Sequence, residues 1–222
     1  MEFRISRPMS DERGYITQEQ YDLIFLACKD ERERLLVRML WKTGRRVSEL
    51  LLLKVKDIDW DLGMISWQIE KKNILRQRSK ETNDEFKARV EDVAKHGKPE
   101  FRAMKPLDSK SLEMLKNYIA SFELVPENYV FFSPWKVAMP LTRFRVFQII
   151  RKIGERAGIN SIGKKGIHPH HFRHGFAVNV ARKAKNPAQI IMLHKILEHS
   201  SMEQTMQYQK YSQEDLREIL ED

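Results

Sequence analysis

Apolar residues recur at helical spacing in the first part of the chain. Thr17, with Gln20 three positions later, forms a capping box ahead of one apolar face. A second apolar face follows Asp30, and Gly44 stands where a helix of that length would end. The pattern predicts two helices within the first 44 residues and a short third one beginning near "RRVSELL".

The period changes after an Asp-Leu-Gly turn, where Ile65, Trp67 and Ile69 alternate with polar positions, so a strand is predicted over residues 63–69. Strand-like character returns at residues 101–105. Between them, residues 73–100 are dense in charge and poor in large apolar side chains. We therefore expect a β-hairpin whose connection carries a charged insertion at about 73–100.

Helical signals then continue to the carboxyl end. The expected fold class is mainly α with a small antiparallel sheet or hairpin. Because no repeat, low-complexity run or Gly-Ser linker marks a boundary, we expect a single domain over residues 1–222. The predicted helices run from Ser109 to about Phe122, from the Thr142 cap to Gly158, from Pro169 onward, from the Asn186 cap onward, and from a capping box at Ser212 and Asp215 to the end.

Composition adds a preference for an anionic partner. The 222 residues include 40 Lys and Arg against 31 Asp and Glu, a formal charge of +9 with a pI near 9.6. That excess is typical of proteins that meet nucleic acid, although composition alone leaves this open. The lone Cys28 has no disulfide partner, and no apolar run reaches the roughly 18 residues of a membrane span, so we expect a cytoplasmic protein.

The stretch "GIHPHHFRHGF" concentrates four histidines and an arginine in seven positions. His170 and His174 would share one helix face, as two zinc ligands can. In a zinc-hydrolase helix, however, the position of His171 would be a glutamate. Taken alone, the stretch leaves open a metal site, a phosphate site, or a group of solvated and core histidines.

Two further stretches favour phosphate. "TGRRVSEL" places an arginine after a predicted helix, and "LEHSSMEQTMQYQKY" places a histidine nine residues before a tyrosine. The ordered set Thr-Gly-x-Arg, His-x-x-Arg and Leu-x-His-Ser-Ser, followed by Tyr, resembles the catalytic domain of the tyrosine recombinases, or phage-type integrases. We refer to the three motifs as the first, second and third box. The resemblance extends from about residue 17 to residue 211.

The resemblance implies a catalytic role for five residues. The first-box arginine falls on Arg46, the second-box histidine and arginine on His170 and Arg173, and the third-box histidine on His199. The nucleophile falls on Tyr208, because the spacing from the third box matches Tyr208 and not Tyr211, which lies three residues further on.

Supporting residues match less closely. Glu49 corresponds to a common supporting acid. The family also uses a lysine in the hairpin, for which Lys71 or Lys72 is the best candidate and Lys98 a less favoured one. Glu198 stands where the family usually has glycine, which puts the placement of the third-box histidine in question. No family role attaches to His168, His171 or His174.

The implied activity is site-specific cleavage and rejoining of DNA through a 3′-phosphotyrosyl intermediate, without metal or cofactor. Strand relaxation like that of type IB topoisomerases, or a catalytically inactive DNA-binding relative, are the alternatives. Double-stranded DNA is the expected partner, with assembly into dimers or tetramers. The final segment "SQEDLREILED" either docks on a neighbouring protomer or packs on its own domain. No room exists upstream of residue 17 for the family's amino-terminal clamping domain, so we expect this domain to be absent, either because the chain is an excised catalytic fragment or because it is a compact member that clamps DNA by other means.

Overall fold

The structure is a computed structural model that describes residues 14–69, 82, 84, 85, 87, 88, 101–163, 165–197, 202, 205, 206 and 208. As expected, its described part is mainly helical. The helices are α1 (Gln18–Leu26), α2 (Glu31–Thr43), α3 (Val47–Leu51), α4 (Ser109–Ser121), α5 (Arg143–Arg156), α6 (Pro169–Lys183) and α7 (Pro187–Leu197), with a 3₁₀ turn at Val55–Asp57.

The described strands form three small antiparallel sheets. The largest has the order β1-β2-β3, and its β2–β3 ladder pairs Met64 with Pro106 and Ile69 with Phe101. The predicted hairpin is therefore confirmed, while most of the charged insertion between its strands lies outside the described residues. The strands are β1 (Ile58–Asp59), β2 (Met64–Ile69), β3 (Phe101–Pro106), β4 (Phe132–Ser133), β5 (Lys136–Pro140), β6 (Ser161–Ile162) and β7 (Lys165–Gly166).

The helix boundaries follow the capping signals in the sequence. The Thr17 hydroxyl accepts a hydrogen bond from the Gln20 amide at 3.3 Å, and the Gln20 side chain accepts one from the Thr17 amide at 3.0 Å. This is the reciprocal pattern of a capping box. Gly44 ends α2 in the left-handed region, with φ of 58°. The predicted capping box at Ser212 and Asp215 lies outside the described residues.

Helix α2 forms the centre of the fold because seven consecutive residues, Leu35 to Trp41, are buried and together surround almost the whole helix. It packs against α1, α4 and α6. The core continues through Ile65 and Trp67 on one face of β2 and through Phe131. A smaller cluster, described with the site below, joins α6 to α7.

Two glycines allow α6 to approach the turn after α2. A Cβ atom at Gly175 would lie 2.3 Å from the Ile16 carbonyl oxygen and 2.4 Å from the Trp41 ring. A Cβ atom at Gly44 would lie 2.3 Å from the Phe176 ring. Larger side chains would push α6 away from α2, so these glycines fix the separation between the first and second boxes.

The hairpins β4–β5 and β6–β7 were not predicted from the sequence. Strand β5 is exposed along nearly its whole length, so its side chains show no alternation between buried and solvated positions. Within the described residues, no helix is both long and apolar enough to cross a membrane.

Candidate active site

The first box places Arg46 at the start of α3 and holds it with a buried carboxylate. Glu49, which is 1% exposed, accepts a hydrogen bond from Arg46 Nη1 at 2.8 Å and another from the Arg46 backbone amide at 3.2 Å. The Arg46 side chain keeps 29% of its surface exposed. One edge of the guanidinium is thus fixed to the protein while part of it faces solvent.

Arg45, the neighbour of Arg46, lies inside the protein. It is 2% exposed, and its guanidinium lies 5.6 Å from the centroid of the Trp67 ring. Nη1 is 3.7 Å from a Glu49 carboxylate oxygen, and Nη2 donates to the Ile196 carbonyl oxygen at 3.2 Å. Two adjacent arginines therefore have opposite environments, and Arg46 is the one that a ligand can reach.

The second-box arginine joins all three boxes through backbone oxygens. Arg173 is 3% exposed, and its Nη1 donates to the Gly44 carbonyl at 2.7 Å while its Nη2 donates to the Leu197 carbonyl at 2.6 Å. Burial, followed by the charge of Arg46, lowers the pKa of Arg173 to about 10. The side chain therefore stays protonated at neutral pH.

His170 and His174 lie one turn apart on α6 and contact each other. Their rings meet edge to face, with 4.3 Å between centroids. His170 remains open to solvent, yet removal of water by the surrounding protein, followed by the charges of His174 and Arg173, lowers the pKa of His170 to about 4. Without a bound anion, His170 is neutral at pH 7 and can donate one hydrogen bond from its ring.

The expected nucleophile is close to this histidine pair. The Tyr208 hydroxyl lies 2.7 Å from His174 Nδ1, and the Tyr208 side chain is 6% exposed. Its ring belongs to an apolar cluster with residues of α6 and α7, including Leu193 and Leu197. The structure thus brings Tyr208 to the helix that carries the second box.

Thr205, three residues before Tyr208, contacts α7. It is fully buried, and its hydroxyl lies 3.2 Å from His194 Nδ1. Tyr208 packs in the same cluster as Leu193 and Leu197 of α7. Because i and i+3 positions share a helix face, Thr205 and Tyr208 can contact α7 from the same side.

The two remaining histidines of the second-box stretch pack together. The rings of His168 and His171 are 3.6 Å apart, and the His168 ring stacks on Phe147 at 6.0 Å. Burial lowers the pKa of His171 to about 3 and also lowers that of His168. Both rings are therefore neutral packing groups at pH 7. His168 Nδ1 is buried with no hydrogen-bond partner among the described residues.

The structure brings together four of the residues singled out in the sequence, namely Arg46, His170, Arg173 and Tyr208. The predicted positions Lys71, Lys72, Lys98, Glu198, His199 and Tyr211 lie outside the described residues. Among the described residues, no group of three or more His, Cys, Asp and Glu side chains is arranged to hold a metal ion.

Sequence reasoning missed two participants. His174 shares its helix face with His170, but its contact with Tyr208 joins positions 34 residues apart. Arg45 looks like a second surface charge beside Arg46. Its burial cannot be inferred from local sequence, because it depends on the contact with the end of α7.

This mainly helical fold, with the arginines of the first two boxes beside a tyrosine, is the catalytic-domain fold of the tyrosine recombinases. The chain belongs to the phage integrase family, whose model matches residues 14–215.

Known relatives agree with this assignment. A tyrosine recombinase of Pseudothermotoga lettingae is 31% identical over 87% of this chain and 54% of its own length, so the chain spans about half of that relative. The crystal structure of XerA recombinase superposes with a TM-score of 0.66 at 21% identity, covering 96% of this chain and 65% of XerA. XerH bound to a palindromic difH substrate, in a post-cleavage complex, superposes with a TM-score of 0.64 at 22% identity, covering 93% of this chain and 52% of XerH.

Proposed function

We propose that this chain is the catalytic part of a site-specific DNA recombinase that cleaves and rejoins strands through a 3′-phosphotyrosyl intermediate, without a metal ion. The observation that carries the proposal is the contact between the Tyr208 hydroxyl and His174, on the helix that also bears His170 and Arg173. A nucleophile and a group of phosphate-binding side chains thereby meet at one place.

Stabilisation of the transition state falls to the arginines and histidines. When an oxygen attacks a phosphodiester, negative charge grows on the non-bridging oxygens. Arg46 supplies positive charge and solvent-facing N–H donors, Arg173 supplies positive charge from its buried position, and the neutral His170 ring supplies one more donor. His199 would add a fourth group. These donors take the role that metal ions have in other phosphoryl-transfer sites.

Residues of this chain can form the new bond and move both protons of the cleavage reaction. The Tyr208 oxygen forms a bond to phosphorus, and the bond from phosphorus to the 5′-oxygen breaks. His174 Nδ1, 2.7 Å from the Tyr208 hydroxyl, accepts the phenolic proton. A hairpin lysine, Lys71 or Lys72, protonates the departing 5′-oxygen. The phosphotyrosyl link keeps the bond energy, so a 5′-hydroxyl can reverse the step and reseal DNA.

The proposed partner is double-stranded DNA inside the cell. The formal charge of +9 suits a polyanion. XerH, which shares the fold, was crystallised on a DNA substrate.

Assembly on DNA is part of the proposal. A groove of about 480 Å³ opens beside the amino-terminal end of α7, and its lining includes Ile191, Met202 and Met206, which are exposed by 38–45%. The final segment, residues 212–222, has Leu216, Ile219 and Leu220 at helical spacing and five acidic residues. We propose that this segment of one protomer docks in the groove of the next, with Lys185 at the rim suited to its acidic side chains.

A suicide oligonucleotide, nicked so that the cleaved end diffuses away, tests the chemistry. The unmodified chain is expected to become covalently attached, and Tyr208→Phe is expected to lose attachment while it binds DNA nearly as well. Tyr211→Phe is the matched control and should retain attachment. An adduct formed by Tyr208→Phe, or a DNA-linked peptide containing Tyr211, would overturn the assignment.

The adduct assay and a plasmid relaxation assay separate the alternative functions, and a deletion tests docking between protomers. An inactive DNA-binding relative would form no adduct with any variant. A topoisomerase would relax supercoiled plasmid without a specific site, whereas a recombinase requires one. Deletion after Tyr211 is expected to spare single-site cleavage and to reduce recombination, and an equal loss of both would contradict docking between protomers.

A further inference from the structure

The carboxyl-terminal end of α7 receives hydrogen bonds from three cationic side chains. Three consecutive carbonyl oxygens are involved: Lys105 Nζ donates to Lys195 at 3.3 Å, Arg45 Nη2 to Ile196 at 3.2 Å, and Arg173 Nη2 to Leu197 at 2.6 Å. These carbonyls lie in the last described turn of α7, and cationic donors near the carboxyl-terminal end of a helix interact favourably with its dipole. We name these three contacts the carbonyl clamp.

The clamp joins parts of the chain that are distant in sequence. Lys105 lies on β3 of the hairpin, Arg45 lies in the turn between α2 and α3, and Arg173 lies on α6. Successive helix residues are rotated by about 100° around the axis, so three consecutive carbonyls are held from different sides. The end of α7 is therefore fixed to the sheet, to the first box and to the second box.

Arg45 reaches α7 from inside the protein. Its guanidinium is 2% exposed, and its contacts are with other parts of the chain. Burial of a charged group is unfavourable unless it is paired and hydrogen-bonded, and here the partners are the Ile196 carbonyl and the Glu49 carboxylate. An apolar residue would avoid this cost, so the buried charge indicates a role in placing α7.

Two expected catalytic residues depend on where α7 ends. His199 follows Leu197 by two residues in the sequence. Tyr208 packs in the same apolar cluster as Leu197 and Leu193. We propose that Arg45 and Lys105 are positioning residues, which set His199 and Tyr208 through the end of α7. This inference rests on the proposed function.

The test uses single-turnover cleavage of the suicide oligonucleotide by the full chain. Arg45→Met keeps an unbranched stem but removes the donors, and it is expected to slow attachment by about 10- to 100-fold, the usual effect of losing a contact behind a catalytic group. DNA affinity should stay within about twofold, because no phosphate contact is lost. Arg45→Lys keeps the positive charge and a single donor nitrogen, so it should recover part of the rate.

A double-mutant cycle distinguishes positioning from a general loss of stability. Because part of its effect is proposed to run through His199, Arg45→Met should slow a His199→Ala protein by clearly less than it slows the unmodified chain. The proposal would be overturned if the double variant were slowed by the product of the fold reductions that Arg45→Met and His199→Ala cause separately. Arg156→Met is the matched control: Arg156 Nε donates to the Ala27 carbonyl at 2.9 Å, at the end of α1, and its loss should leave the rate unchanged.

Lys105→Met tests the clamp at a partly exposed position, where misfolding is a smaller concern. We expect slower attachment that a 5′-sulfur leaving group does not restore. Restoration by sulfur would make Lys105 the general acid and would refute its positioning role. If the unmodified chain forms no adduct, the proposed function fails. If it does form one and both Arg45→Met and Lys105→Met react at the unmodified rate, only the clamp fails.

Discussion

Removal of the Glu49 carboxylate should destabilise the fold more than removal of any exposed acid. Glu49 is 1% exposed and lies between two arginines, 2.8 Å from Arg46 Nη1 and 3.7 Å from Arg45 Nη1. Breaking a buried ion pair by deleting one partner costs about 3–5 kcal/mol, since the other charge stays buried. Arg45 is that buried charge, at 2% exposure.

The lower end of this range is the better expectation for Glu49→Ala. Part of the lost interaction is with Arg46, whose side chain is 29% exposed and can turn toward water. A loss of about 3 kcal/mol corresponds to a fall in melting temperature of about 6–12 °C for a domain of this size. Glu49→Gln keeps one oxygen acceptor, so its loss should be intermediate.

Urea unfolding followed by circular dichroism at pH 7 gives the free energy of unfolding directly. Glu127→Ala is the control, because Glu127 also pairs with lysines but its side chain is 67% exposed, and it should leave the midpoint unchanged. The reasoning is refuted if Glu49→Ala loses less than about 1 kcal/mol, the size of an exposed ion pair, or if Glu127→Ala shifts the midpoint equally.

Four further outcomes are expected. DNA affinity should fall steeply with salt, by about 0.9 log units per phosphate contact for each log unit of salt, and an affinity that is constant from low to moderate salt would contradict this. EDTA should leave covalent attachment intact, whereas a loss that zinc restores would revive the metal hypothesis for the histidine stretch. Alanine at only one of Lys71 and Lys72 should block cleavage, and a 5′-sulfur leaving group should rescue that variant if it lacks the general acid. The pKa of His171 is lowered to about 3 in the folded protein, so the unfolded chain binds a proton first as pH falls below about 6.5. Stability should therefore decline from pH 6.5 to 5, by up to about 1.4 kcal/mol per pH unit for one such site, and His171→Phe should reduce this slope while leaving the part due to His170.

Much of the fold is predictable because its signals are local. The capping box at Thr17, the glycine that ends α2 and the alternation in β2 each act within a few residues, and each element formed where predicted. Strand β5 escaped prediction because it has no buried face from which a period could arise. What local sequence cannot supply is the pairing of distant surfaces.

The candidate site shows the same division between local and distant information. The ordered motifs point to Arg46 and Arg173, and the structure holds both near one another. No local rule distinguishes buried Arg45 from exposed Arg46, since they are neighbours of the same type. The difference is created by the end of α7, which is formed about 150 residues later. His174 gains its partner in the same way, from a tyrosine 34 residues further along.

The use of backbone carbonyls to hold arginines has an electrostatic consequence for a phosphate site. A carboxylate fixes a guanidinium but cancels its charge, whereas a carbonyl oxygen fixes it and leaves the charge whole. Arg45 and Arg173 both donate to carbonyls, and Glu49 is the carboxylate beside the two first-box arginines. Among these four described side chains, three positive charges stand against one negative charge, so their net charge is positive before DNA arrives. Replacing these carbonyl contacts with further acids would hold the side chains as firmly and would weaken the attraction for the scissile phosphate.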